Sequence, residues 1–239
     1  MKLTATLPGV SAALLLALLA SPAAHAQFGS NLVVNGNAEA GPGSASGNDV
    51  LPVPGFTTTG NFTVAQYDAS ISGPADRGAN FFAGGPNNAS SSAMQLISLL
   101  PEASVINAGG AAFSLSAYLG GYDGQDDNAT LTATFLGAGN SVLSTAQIGP
   151  VLSADRNGVT EVLFRSLNGQ VPAGAQSVNL TLQMTRLQGS YNDGYADDLS
   201  LVLRPNSPVP EASTTVSLGL LLALGMGAMV IAAKKRRKA

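Results

Sequence analysis

The strongest constraint in this chain is a two-residue rhythm of apolar and polar side chains. Phe113, Leu115, Ala117 and Leu119 alternate with Ser114 and Ser116. Leu131, Ala133 and Phe135 alternate with Thr130, Thr132 and Thr134. Val178, Leu180, Leu182 and Met184 alternate with Asn179, Thr181 and Gln183. Successive side chains of a strand point to opposite faces, so each run has one dry face and one wet face. That is the pattern of antiparallel sheets packed face to face. A further strand is expected over "YADDLSLVL". Gly and Pro, 28 and 13 of 239 residues, cluster between the runs as turns, and no amphipathic helix is legible between Phe28 and Pro205. The expectation is an all-β, antiparallel β-sandwich of jelly-roll type over residues 27–205. Gly36 to Gly60, rich in Gly, Ser and Pro, is expected to wrap the sandwich edge.

The ends follow another grammar. Lys2, an apolar stretch from Val10 to Ala20 and Ala24-His25-Ala26 form the three parts of a secretory signal peptide, with cleavage expected after residue 26. The apolar part is shorter than the ~20 residues a membrane span needs. At the other end Val216 to Ala233 carries no charge and meets Lys234, Lys235, Arg236, Arg237 and Lys238 at once. A helix of that length nearly crosses a ~30 Å hydrocarbon core. The positive-inside rule keeps the basic end cytoplasmic and places the body outside.

Composition narrows the chemistry. The chain has no Cys, no Trp and one His, His25, which leaves with the signal peptide. The mature chain therefore has no Ser-His-Asp triad, no thiolate nucleophile, no Cys/His zinc site and no disulfide. Four lysines sit at the ends; the stretch from Gln27 to Glu211 holds five arginines and all fourteen acids. A body this acidic does not seek nucleic acid.

The C-terminal stretch "VPEASTTVSLGLLLALGMGAMVIAAKKRRKA" resembles a PEP-CTERM sorting signal. Val209, Pro210 and Glu211 match its motif, and Ala212 stands where a second Pro is usual. The resemblance implies a sorting segment over 206–239, with a transmembrane part at 216–233 and a basic tail at 234–238. It implies recognition by an exosortase, a membrane protease or transpeptidase, in a Gram-negative bacterium that makes exopolysaccharide. The inner membrane is then a transient or permanent partner. Localisation would run from a membrane-anchored precursor to the cell envelope or the medium. A plain tail anchor is the alternative.

The body carries a second resemblance. "NLVVNGNAEAG" and "YADDLSLVL" are similar to the bracketing strands of galactose-binding-like jelly rolls, a group that includes many carbohydrate-binding modules. Asn35, Gly36 and Glu39 match the opening, with Ala38 where a Phe is usual; Tyr195, Asp197 and Asp198 match the close. The resemblance implies a structural calcium held by Glu39, Asp197 and the Asn37 carbonyl. In an unbroken final strand Asp197 would share a face with Leu199 and Leu201, where a carboxylate needs a partner. An ion, Arg204 and Arg186 are the candidates, and solvated acids ahead of a shorter strand are the alternative. The loop "GGYDGQDDN" offers Tyr122 for ring stacking, with Asp123, Asp126 and Asp127 as a ligand loop or an ordinary solvated turn. The functional expectation is a non-enzymatic, exported β-sandwich protein of the extracellular polysaccharide matrix. The alternative is a carbohydrate-active enzyme working with carboxylates.

Overall fold

The computed structural model describes residues 28–206. The signal peptide and the sorting segment, with Val209, Pro210 and Glu211, lie outside them. Ten strands form two antiparallel five-stranded sheets. In chain order they are β1 (Thr57–Thr59), β2 (Thr63–Gln66), β3 (Asn80–Pro86), β4 (Ser90–Ser98), β5 (Ala111–Gly121), β6 (Asn128–Leu136), β7 (Val142–Ile148), β8 (Glu161–Gln170), β9 (Ser177–Thr185) and β10 (Tyr191–Pro205). One sheet runs β1-β4-β9-β6-β7, the other β2-β3-β10-β5-β8. The chain repeatedly crosses from one sheet to the other. Among the described residues the one α-helix, α1, is the five-residue Ala103–Asn107. That is too short to show a helical period in the sequence.

The alternating runs deliver the core. Leu115, Ala117, Leu119, Leu131, Ala133, Phe135, Leu180, Leu182 and Met184 are fully buried between the sheets. The Phe113 and Phe135 rings meet across the gap at 4.9 Å. Burying an aromatic or aliphatic side chain contributes about 1.5–3 kcal/mol, so this layer drives the two sheets together. The Gly36–Gly60 stretch does lie along an edge. Ser44 N–H donates to the Val64 carbonyl at 2.8 Å, and Gln66 N–H donates to the Ser44 carbonyl at 3.0 Å, beside edge strand β2.

The chain ends of the sandwich meet. Asn31 clamps β10 with its amide, donating to the Leu199 carbonyl at 2.9 Å and accepting from Leu201 N–H at 3.0 Å. Leu199 N–H donates to the Gly36 carbonyl at 2.8 Å. A Cβ at Gly36 would sit 2.2 Å from the Leu199 carbonyl oxygen, so the Asn-Gly of the opening motif is required by this approach of two backbones.

One expectation fails here. Asp197 does not share a face with Leu199 and Leu201. The β10–β5 register shifts between Asp197 and Ser200, and Asp198 within the shift has φ 49°. The extra residue of such a bulge reverses the alternation. Ala196 and Leu199 both reach the core between the sheets, while Tyr195 packs in a separate cluster on the outer face. Neither Arg204 nor Arg186 partners Asp197, whose carboxylate accepts from the Tyr67 hydroxyl at 2.9 Å. Because Gly adopts positive φ freely and a β-branched residue does not, Asp198→Val should be less stable than Asp198→Gly by about 1–2 kcal/mol. Urea denaturation of the two variants measures it.

Candidate functional site

The outer face of the β2-β3-β10-β5-β8 sheet holds a second apolar cluster, built on Ala65, Ile71, Phe81, Ala83, Val162 and Tyr195. All five tyrosines of the chain gather at it. Tyr67, Tyr118 and Tyr191 pack against the cluster, and Tyr122 lines the cleft beside it. Phe81 centres the stack, 4.8 Å from Tyr67 and 5.0 Å from Tyr195 between ring centroids. The reason is local. Tyr195 and Asp197, two apart in β10, leave the sheet on the same side, and Tyr191 and Asp193, beyond a register shift against β3 between Asn192 and Tyr195, line the cleft beside them.

The cleft measures about 290 Å³. Ala65, Phe81 and Tyr195 give an apolar lining, residues 45–48 of the edge-wrapping loop form a wall, and Tyr122 and Thr160 also line the cleft. Tyr191 ties the wall down, its hydroxyl donating to the Gly47 carbonyl at 2.7 Å. Two carboxylates line the cleft, with their pKa values pushed in opposite directions. Asp193 is 9% exposed and accepts from the Tyr195 hydroxyl at 2.6 Å. Burial pushes its pKa up, the Tyr195 bond opposes this and Asp127 adds to it. Asp68 is exposed and accepts from the Ser70 hydroxyl at 2.5 Å and the Ser70 N–H at 2.7 Å, which hold its pKa below the usual carboxylate range. Burial, then nearby carboxylates, raises the phenol pKa of Tyr191 and Tyr195, so both remain neutral donors.

The acidic loop after β5 divides its labour. Tyr122 is 45% exposed at the cleft. The Asp123 side chain is exposed, while its N–H donates to the Thr160 hydroxyl at 3.0 Å. Asp126 accepts from Ser153 N–H at 3.0 Å. Asp127 is fully buried and its carboxylate accepts from the N–H groups of Leu187, Gln188 and Asp193 at 2.6, 2.8 and 3.0 Å. It thereby pins the β9–β10 turn instead of facing a ligand. Arg156, also fully buried, donates to the carbonyls of Asp123, Gln125 and Val159 and fixes the loop from behind.

The opening and closing acids interact through their charges. Glu39 accepts from the Asn80 N–H at 2.8 Å and the Asn80 amide at 3.3 Å. The Asn37 side-chain carbonyl accepts from Glu39 N–H at 3.5 Å. Asp197 is 1% exposed, and its second oxygen accepts from Asp198 N–H at 2.8 Å. Burial raises its pKa to about 7; the hydrogen bonds from Tyr67 and Asp198 oppose this, and the charges of Asp198 and Glu39 add to it. Among the described residues no group of three His, Cys, Asp or Glu side chains is placed to hold a metal ion. A calcium shell at this pair would have to lean on carbonyls and share carboxylate oxygens with Tyr67 and Asn80.

No family model and no curated protein matches the chain. Among solved structures it is similar to a family 16 carbohydrate-binding module, module 2, at 16% identity and TM-score 0.46, over 72% of this chain and 99% of that one. It is similar to a cyclase from Fischerella sp. TAU at 14% identity and TM-score 0.48, over 73% and 96%. It is also similar to the enzymatically active domain of tailspike protein 4 from bacteriophage CBA120, at 16% identity and TM-score 0.45, over 72% of this chain and 21% of that one. At that level of similarity the chemistry of the site has to come from its own residues.

Sequence reasoning reached Tyr122 but missed Asp193, Asp68, Tyr191 and the loop wall. The Tyr-x-Asp-x-Tyr pattern from Tyr191 to Tyr195 was the available signal, and the register shift between Asn192 and Tyr195 is what a simple period of two does not show. A buried carboxyl with a raised folded-state pKa holds its proton more tightly when folded. The contribution of Asp197 is therefore intact below about pH 4, the unfolded carboxylate value, and is lost as pH climbs towards 7. In metal-free buffer the melting temperature of the wild type should fall across that window, and that of Asp197→Asn should fall less.

Proposed function

We propose that this chain is an exported β-sandwich protein of jelly-roll type that binds polysaccharide in the tyrosine cleft without turning it over. The observation that carries the reading is the cleft itself, with its aromatic lining and polar rim. Sugar rings present C–H faces that stack on aromatic rings, and hydroxyls that pair with carboxylates and amides. Phe81, Tyr122, Tyr191 and Tyr195 supply the rings, and Asp193, Asp68, Gln66 and Asn48 the polar groups. Oligosaccharide titration into the full chain tests it. Tyr122→Ala should weaken binding several-fold with little change in melting temperature, because the ring is half exposed. No binding to any member of a broad glycan panel would overturn the proposal.

The enzymatic alternative has its own observation. Asp193 and Asp68 line one cleft with pKa values pushed apart, as an acid and its partner carboxylate require. Release of new reducing ends from a bound oligosaccharide, lost in Asp193→Asn, would favour hydrolysis over binding alone.

Sorting is a separate part of the proposal. It rests on the signal peptide, the Val209-Pro210-Glu211 motif, the apolar segment and the basic end. An exosortase would read the motif outside the inner membrane and release the body to the envelope or the medium. Mass spectrometry of mature protein should find the residues after the motif missing, and should find them retained once the exosortase is deleted. Retention in normal cells would leave the permanent anchor.

Calcium held by Glu39, Asp197 and the Asn37 carbonyl is likewise a proposal. It is supported by the mutual repulsion of Asp197, Asp198 and Glu39, which a divalent ion would relieve. Calcium should raise the melting temperature and EDTA remove the gain; coincident melts would end it.

A further inference from the structure

The charge balance of the cleft names the group it reads. Asp193 is nine-tenths buried on the cleft, with one oxygen accepting from Tyr195 and the other accepting no hydrogen bond among the described residues. Asp68 adds a second carboxylate at the exposed rim. No Lys or Arg lines the cleft. All four lysines of the chain lie at its ends, outside the described residues. Two cations lie nearby and both are spent on the scaffold: Arg77 donates to the Ile71 carbonyl and lies over the Tyr67 ring at 4.3 Å, and buried Arg156, whose charge reaches Tyr195, donates to the carbonyls of Asp123, Gln125 and Val159. A buried carboxylate with no cation invites a positive ligand. The tyrosine faces around it attract the same charge.

We propose, resting on the polysaccharide reading above, that the cleft recognises a protonated amine, and that its ligand is a polysaccharide bearing free amino sugars. The ammonium group places its N–H donors on the open oxygen of Asp193, and Asp68 supplies a second acceptor at the mouth. The sugar ring lies against the tyrosines. Uronic acids meet two like charges and are turned away. Neutral sugars satisfy the hydrogen bonds and leave the charge of Asp193 uncompensated.

Acetylation gives a clean comparison, because it removes the charge and keeps the sugar backbone. Calorimetric titrations of the full chain would use glucosamine oligomers, N-acetylglucosamine oligomers of the same length, and oligogalacturonate. A charge-assisted hydrogen bond to a buried carboxylate corresponds to about tenfold or more in affinity. Glucosamine oligomers should therefore bind at least about tenfold tighter than their acetylated counterparts, and oligogalacturonate should not bind. Asp193→Asn should narrow that gap. Asp68→Asn, at an exposed position, should narrow it in part without lowering the melting temperature, and it carries the test if Asp193→Asn fails to fold. Equal or tighter binding of the acetylated or the acidic oligomers overturns the amine proposal and leaves the polysaccharide reading standing. Binding of none of the three, nor of any other glycan, overturns both.

Discussion

Strand β10 has to serve two layers at once. Its later half sends Leu199, Leu201 and Leu203 into the core between the sheets, while its earlier half sends Tyr191, Asp193, Tyr195 and Asp197 outward. A regular strand would put all seven of these odd-numbered positions on one face. The bulge at Asp198 separates them. Without it, either the leucines would face water or Asp193 and Asp197 would enter the core as unpaired carboxylates, each costing several kcal/mol. The cleft and the core thus depend on two irregularities in the central strand, one against β3 between Asn192 and Tyr195 and one against β5 between Asp197 and Ser200.

The parts around β10 are fixed by buried polar groups, not by further apolar burial. Asp127 collects three backbone N–H groups across the β9–β10 turn, and Arg156 collects three carbonyls of the loops that follow β5 and precede β8. Each satisfies groups that an apolar residue would leave bare, and removing one partner of such a set costs more than the bonds contribute net. These clasps hold the loops that bring Tyr122 and Thr160 to the cleft, whose loop wall Tyr191 anchors.

Electrostatics then divides the outer face into two zones. Around Asp197 the carboxylates of Asp198 and Glu39 crowd one buried group, and the Tyr67 hydroxyl answers it. Around Asp193, which lines the cleft, the answer from the protein is a single Tyr195 hydroxyl. The same pairing of a tyrosine with an acid is closed in the first zone and open in the second.

The sequence by itself determined the sheets. Alternation in the runs that became β5, β6 and β9 fixes which side chains are buried, because strand geometry has a period of two and leaves little choice once one face is apolar. It also showed the chemistry the body lacks, since no fold can supply a His or Cys that is absent. It marked Gly36, Glu39, Tyr195 and Asp197 as residues of two meeting end strands; the structure brings the two ends together, but the opening segment forms turns and isolated bridges, and only Tyr195 and Asp197 lie in a strand. What only the tertiary structure decided was the direction of particular side chains. Asp197 changed face because a bulge is a local shift of register with no strong composition signal, readable afterwards in the tolerance of Asp198 for positive φ. Asp127 became an anchor because the N–H groups it collects lie 60 to 66 residues away in the chain, and Asp193 a cleft carboxylate because distant segments, from residues 45–48 to Thr160, close around it; only packing brings these together.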